Sequence, residues 1–187
     1  MSRRLRVEHT PIRDLVVLTR QPVGDERGFL ERIFCADELA DILGTRSISQ
    51  INRTLTVEQG TIRGLHFQEP PFAEMKLVSC LQGEVFDVAV DLRPTSPTFL
   101  NWHAEILSGD NGRTLVIPEG FAHGFQTLTP ECVMLYLHTA PFTSSAEGGL
   151  NPMDDRLRIN WPLAVRNISA RDAAHPMMTP EFAGIQV

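Results

Sequence analysis

Apolar and polar positions alternate along Thr61-Ile62-Arg63-Gly64-Leu65-His66-Phe67 and again along Glu84-Val85-Phe86-Asp87-Val88-Ala89-Val90. This is the period-two signature of half-buried strands. From residue 47 onward the chain is a succession of short runs separated by Gly, Pro, Asn and Asp, at 47–55, 61–67, 76–81, 84–92, 101–107, 114–117, 124–127 and 133–139. Short strands with turn signals roughly every ten residues predict an all-β fold, a sandwich or barrel of the jelly-roll kind. Upstream, residues 15–18 read as a first strand, and 23–28 as a turn or loop leading to an apolar run at 29–34. Residues 36–43 read as a short helix, with Leu39, Ile42 and Leu43 on one side and Gly44 just past the end. In the mixed tail after Asp154, Trp161-Pro162 is expected to pack an edge rather than extend a sheet.

Composition narrows the class. The chain has 187 residues, 42% of them hydrophobic, which suits one domain spanning 1–187 with a sizeable core. A formal charge of −6 argues against nucleic acid as a partner, since a nucleic-acid binder usually carries a basic stripe. The start Ser2-Arg3-Arg4-Leu5-Arg6 is followed by Glu8 instead of an apolar run, unlike a signal peptide or anchor. No stretch approaches the roughly 20 apolar residues of a membrane span. Cys35, Cys80 and Cys132 are odd in number and widely separated, and read as buried free thiols of a reducing cytoplasm.

Two stretches carry candidate chemistry. In the first, Arg63 and His66 have opposite parity, which an ideal pleat would send to opposite faces. Gly64 between them can mark a bulge that relaxes this. Pro70-Pro71 then stops the strand and Lys76 opens the next apolar run, so neighbouring strands deliver an arginine, a histidine and a lysine to a plausible anion and proton-transfer site. In the second, Pro118-Glu119-Gly120-Phe121-Ala122-His123 reads as a tight turn that places His123 at a strand start. This pattern resembles the second motif of the cupin superfamily, and residues 60–68 resemble its first. Metal-binding cupins carry His-x-His there. Here His66-Phe67-Gln68 replaces one imidazole with a neutral amide, a poor transition-metal ligand, so no metal is expected. Taken singly, each residue also has a plain reading: Arg63 and Lys76 as surface charges, His66 and His123 as hydrogen-bonded rim or turn residues, Tyr136 as a packed ring. His9, His103, His138 and His175 are read as structural or solvated.

A longer set of motifs is more specific: Asp25-x-Arg27-Gly28, Gln50-x-Asn52, Arg63-Gly64-Leu65-His66-Phe67-Gln68, Lys76-Leu77-Val78, Gly83-x-Val85-x-Asp87-Val88, Asp91-Leu92-Arg93, Ser96-Pro97-Thr98-Phe99, Pro118 to Phe125, then Tyr136, Glu147, Asp154-Asp155, Trp161-Pro162 and Ser169-Ala170-Arg171-Asp172. In order and spacing these resemble the dTDP-4-dehydrorhamnose 3,5-epimerase family over roughly residues 15–173. The resemblance implies a cupin-type jelly roll with a few short helices, working without cofactor or metal on a nucleotide-linked 4-keto-6-deoxy sugar. It implies His66 as base held by Asp172, Lys76 near the ketone oxygen and Tyr136 as acid, with Arg63, His123, Arg27, Phe29, Gln50, Asn52 and Arg171 binding substrate. It also implies a homodimer in which an N-terminal strand pairs with the partner's sheet and reaches its site. The chain departs from the family at Phe142, which lacks a second tyrosine's hydroxyl, at Arg32, where many members have glutamate, and at Arg171, which replaces lysine. A metal-dependent cupin enzyme, such as a dioxygenase or sugar isomerase, and a non-catalytic sugar-binding cupin are the alternative readings.

Overall fold

The computed structural model describes residues 3–187; Met1 and Ser2, which open the Arg-rich start, lie outside the described residues. In chain order the strands are β1 (Leu5–His9), β2 (Val16–Arg20), β3 (Val23–Asp25), β4 (Gly28–Leu30), β5 (Gln50–Thr56), β6 (Thr61–Gln68), β7 (Lys76–Gln82), β8 (Glu84–Asp91), β9 (Trp102–Ser108), β10 (Arg113–Ile117), β11 (Phe121–Thr127), β12 (Cys132–His138), β13 (Glu147–Gly149) and β14 (Asn167–Ile168). Two short helices, α1 (Ala40–Leu43) and α2 (Ala170–Ala173), and a single 3-10 turn complete the secondary structure.

Strands β5 to β12 form the jelly roll anticipated from the spacing of the runs. One sheet has the order β1-β2-β10-β7-β12-β5 and the other β13-β6-β11-β8-β9. The chain crosses between sheets at every connection from β5 to β12 except the β8–β9 hairpin, so residues far apart in sequence meet across the sandwich. Between the sheets lies a core that includes Val78, Leu115, Ile117 and Met134 from one and Val85, Ala89, Phe121 and Phe125 from the other.

The expectation of half-buried strands is corrected for β6 and β8, which are mostly buried. Every residue of β11 is buried, and so are Val88, Ala89 and Val90 of β8. The cause is the C-terminal tail, whose Leu150, Leu157, Met178 and Ile185 cover the outer side of this sheet against Val88, Val90 and Ala122. Trp161 packs there, its ring edge against Phe86, as an edge-packing residue. The other sheet is covered by Leu39 and Leu43, at and near α1, which lie over Leu18, Leu77 and Val116.

Other boundaries also differ. The expected loop at 23–28 and run at 29–34 form a two-stranded hairpin, β3 with β4, that among the described residues pairs only with itself. The helix at 36–43 shrinks to Ala40–Leu43 because the residues before it form turns. Cys80 and Cys132 are buried free thiols, whereas Cys35 is only partly buried. Burial pushes the Cys80 thiol up to about 12, where it is inert.

Candidate active site

The side chains of Arg63 and His66 meet on one face because β6 gains a residue against β11. His66 pairs with His123 and Arg63 with Phe125, a three-residue step opposite a two-residue step. Paired residues share a face, and His123 and Phe125 share theirs by the strand period. The bulge therefore turns both Arg63 and His66 inward. Glycine is required where it forms: Gly64 has φ +119°, and a Cβ there would lie 2.6 Å from Gly124 Cα and 2.7 Å from the His123 carbonyl.

The outer edge of β6 is shared. β13 pairs with residues 66–68, and β14 runs parallel to residues 61–62. In the interval between them the Gly64 N–H donates to Asp172 Oδ2 at 3.1 Å. Asp172 reaches this point because α2 follows β14 directly and its N-cap, Ser169 Oγ, accepts from the Asp172 N–H at 3.0 Å. The other carboxylate oxygen lies 2.8 Å from His66 Nε2, so Nε2 donates to it. Among the described residues no protein group bonds Nδ1, which is left to accept a proton. Burial, with the Arg171 and Lys76 charges beside it, lowers the affinity of His66 for a proton against the opposing pull of Asp172. Burial works in the opposite sense on Asp172, but the His66 and Gly64 donors outweigh it and hold the carboxyl below its ordinary value. The pair is thus a neutral imidazole held by an ionised carboxylate.

Across a cavity of about 590 Å³ the other sheet presents Tyr136 and His138 from β12, Lys76 from β7 and Asn52 and Thr54 from β5. Burial, with Asp87 nearby, pushes the Tyr136 phenol well above its ordinary value and keeps it protonated. Lys76 Nζ lies 3.2 Å from Glu74 Oε1, and His138 Nδ1 donates to Glu74 Oε2 at 2.8 Å. Burial alone would raise the Glu74 carboxyl, but His138 and Lys76 together bring it below the usual range. A further pair joins His123 Nε2 to both oxygens of Asp87, at 3.0 and 2.9 Å. Asp87 is fully buried, and burial raises its carboxyl against the opposing pull of His123.

The cavity therefore brings together His66, Asp172, Tyr136, Lys76, Arg63, His123, Asn52 and Arg171. Arg63 Nε donates to Thr56 Oγ1 at 2.9 Å, tying the two sheets together beside it. Gln50 stands one step back, its amide oxygen accepting from the N–H of Phe142, which lines the cavity. Arg27 and Phe29 are not brought to this cavity. They lie on the β3–β4 hairpin, where Arg27 pairs with Asp25 and Phe29 is 74% exposed. Arg32 pairs with Glu38, while neighbouring Glu31 forms a 3.0 Å ion pair with Arg20. His138 and His175, read from sequence as structural or solvated, prove to be close to the site: His138 lines it, and His175 meets the His66 ring edge-on at 5.8 Å between centroids. The period-two rule could have found His138, two residues after Tyr136. A buried charge in a sheet, Asp87, was likewise a signal.

The ligand atoms of His66, Asp172 and His175 lie within 4.8 Å of one another, a donor set that could hold a metal ion. Arg171 opposes this use. Its guanidinium is 3.1 Å from His66 Nε2 and 3.5 Å from Asp172 Oδ1, so a cation already occupies the approach and balances the carboxylate.

The sequence profile of the family described as dTDP-4-dehydrorhamnose 3,5-epimerase matches residues 9–179. A dTDP-4-dehydrorhamnose 3,5-epimerase of Salmonella typhimurium is 41% identical over 170 residues, covering 90% of this chain and 93% of the relative. The structure superposes with a TM-score of 0.90 on a Legionella pneumophila dTDP-6-deoxy-D-glucose-3,5-epimerase in complex with dTDP-4-keto-L-rhamnose, at 38% identity, covering 98% of this chain and 99% of the other. A Bacillus anthracis dTDP-4-dehydrorhamnose 3,5-epimerase with TDP and PPi bound gives 0.89 at 39% identity, covering 93% and 99%.

Proposed function

The chain belongs to the dTDP-4-dehydrorhamnose 3,5-epimerase family, and on that premise we propose that it is an isomerase inverting C3, C5 or both in a dTDP-linked 4-keto-6-deoxyhexose. The observation that carries the reading is the placement of a neutral, carboxylate-held His66 on one sheet and a protonated Tyr136 with Lys76 on the facing sheet, all lining one cavity. A carbon next to a ketone loses a proton when a base stands on one side and a cation or donor stabilises the enolate oxygen. His66 Nδ1 takes the proton, Asp172 stabilises the imidazolium that forms, and Lys76 Nζ faces the enolate oxygen. Tyr136, from the opposite side, returns a proton and inverts the centre. Arg63, His123, Asn52 and Arg171 hold the sugar and its diphosphate, Arg63 and Arg171 being suited to phosphate oxygens.

The same reading makes the enzyme a homodimer of one-domain subunits in the cytoplasm. It is supported by three free thiols, and by a hairpin that among the described residues bonds only to itself while exposing Val23, Phe29 and Leu30. Among the described residues the outer edge of β5 is also unpaired, with Ile51 and Leu55 exposed. Apolar side chains on an uncovered edge favour pairing with another chain, and a docked hairpin would carry Arg27 and Phe29 to the partner's site. Among the described residues no helix is long and apolar enough to cross a membrane.

The test is to incubate the protein with a dTDP-4-keto-6-deoxyglucose substrate in deuterated water and read each carbon by NMR. Deuterium at C3 or C5 with inverted configuration is the expected result. No exchange at either carbon would reject the enzyme reading and favour a sugar-binding role.

A further inference from the structure

On the sheet that faces His66, β7 and β12 pair so that His138 stands beside Lys76 and Tyr136 beside Val78. Residues 136 and 138 share a face, and their rings stack at 6.0 Å between centroids with 22° between planes. His138 lines the cavity, its side chain 13% exposed. Its Nδ1–H is fixed on Glu74 Oε2 at 2.8 Å, while among the described residues Nε2 has only a distant neighbour, Asn52 Nδ2 at 3.4 Å. The titratable groups against it are Glu74, Lys76 and Tyr136; Asn52 is neutral. One buried carboxylate is thus shared between a lysine and a histidine, and the imidazole keeps one nitrogen available to the cavity. This mirrors His66 and Asp172 across the cavity: each sheet supplies a histidine held by a carboxylate.

We propose that His138, held by Glu74, is a second proton donor for the reaction, delivering a proton from the face opposite His66 at one of the two carbons that flank the ketone. The proposal rests on the epimerase reading above. The chemical reason for a second donor is acidity. Burial holds the Tyr136 phenol well above its ordinary value, which makes it a far weaker acid than an imidazolium. In the balanced step His66 Nδ1 removes the carbon-bound proton, and the electron pair of the broken C–H bond moves into the enolate, whose oxygen faces Lys76. Protonated His138 gives up its Nε2 proton to the same carbon from the other side. A new C–H bond forms, the enolate electrons return to carbon, and His138 is left neutral with Nδ1–H still on Glu74. Both histidines then re-equilibrate with solvent, one proton lost and one gained.

The experiment follows deuterium wash-in and product configuration separately at C3 and C5, with KM and kcat, in wild type, His138→Gln and Glu74→Gln. In His138→Gln, wash-in driven by His66 should stay near the wild-type rate, while inverted product at one carbon falls by ~10²–10⁴-fold. Glu74→Gln keeps the imidazole but removes the carboxylate that holds its Nδ1–H. Inversion at that carbon should therefore fall while wash-in persists, because the imidazole is no longer held by a charged partner. Unchanged inversion at both carbons in His138→Gln overturns the proposal. So does a rise in KM with kcat unchanged, or an equal loss of wash-in and inversion, either of which assigns His138 to binding or support. Inversion at that carbon unchanged in Glu74→Gln contradicts the role of the pair. A wild type that exchanges nothing rejects the epimerase reading and this proposal with it, an outcome distinct from exchange with unaltered inversion.

Discussion

At the scale of single residues the account turns on the protonation of His66. Because burial lowers its pKa below the ordinary 6.5, the folded site keeps the imidazole neutral until the pH falls under that value. The acid limb of kcat/KM, which reports the free enzyme, should lie below 6.5. The sign for stability follows. The unfolded chain binds the His66 proton first, so this residue withdraws stability as pH falls from about 6.5 downward. Asp172→Asn removes a group that raises the His66 pKa, so the limb should move to still lower pH as the maximal rate drops. A pH profile of both proteins checks this, and a limb that moves upward would contradict the pairing. Much at this scale was legible because residue types recur in a recognisable order: Arg63, His66, Lys76, His123, Tyr136 and Asp172 all reach one cavity. The carboxylates Asp87 and Glu74 were not assigned from sequence, since their partners His123 and His138 are distant in the chain and meet them only after the sheets form.

Among the elements, β6 has the most demanding local geometry. Gly64→Ala would place a methyl against Gly124 and the His123 carbonyl at a φ that L residues rarely adopt. A destabilisation of about 1–3 kcal/mol is expected, read as a lower Tm, with activity falling as the His66 and Arg63 directions are lost. Wild-type stability and activity in that variant would argue against the bulge as the device that turns both inward. Ser169→Ala removes the cap of α2. Caps are worth about 0.5–2 kcal/mol, and because Asp172 is the residue capped, kcat should fall more than stability alone explains. The long strands were readable from alternation and turn residues. β13, β14 and α2 were not, because two- to four-residue elements have no period of their own and exist here through pairing with β6 and contact with its edge. The all-buried pattern of β11 similarly depends on a tail packed from elsewhere in the chain.

For the whole molecule, the hairpin and the edge of β5 give the proposed dimer its test. Phe29→Asp with Leu30→Asp should shift the mass measured by light scattering toward the monomer. It should also weaken substrate binding, since Arg27 and Phe29 would no longer reach a neighbouring cavity; a wild-type mass with full affinity would remove the hairpin from assembly. The larger consequence of the jelly-roll crossings is that His66 and Tyr136, the proposed base and acid, come from different sheets and line one cavity from facing sides. The most direct check is product stereochemistry by NMR in deuterated water for wild type, His66→Asn and Tyr136→Phe. The account predicts exchange with inversion in wild type, neither in His66→Asn, and in Tyr136→Phe continued exchange with a deficit of inverted product at one carbon at least. Exchange at the wild-type rate in His66→Asn, or full inversion at both carbons in Tyr136→Phe, would contradict it.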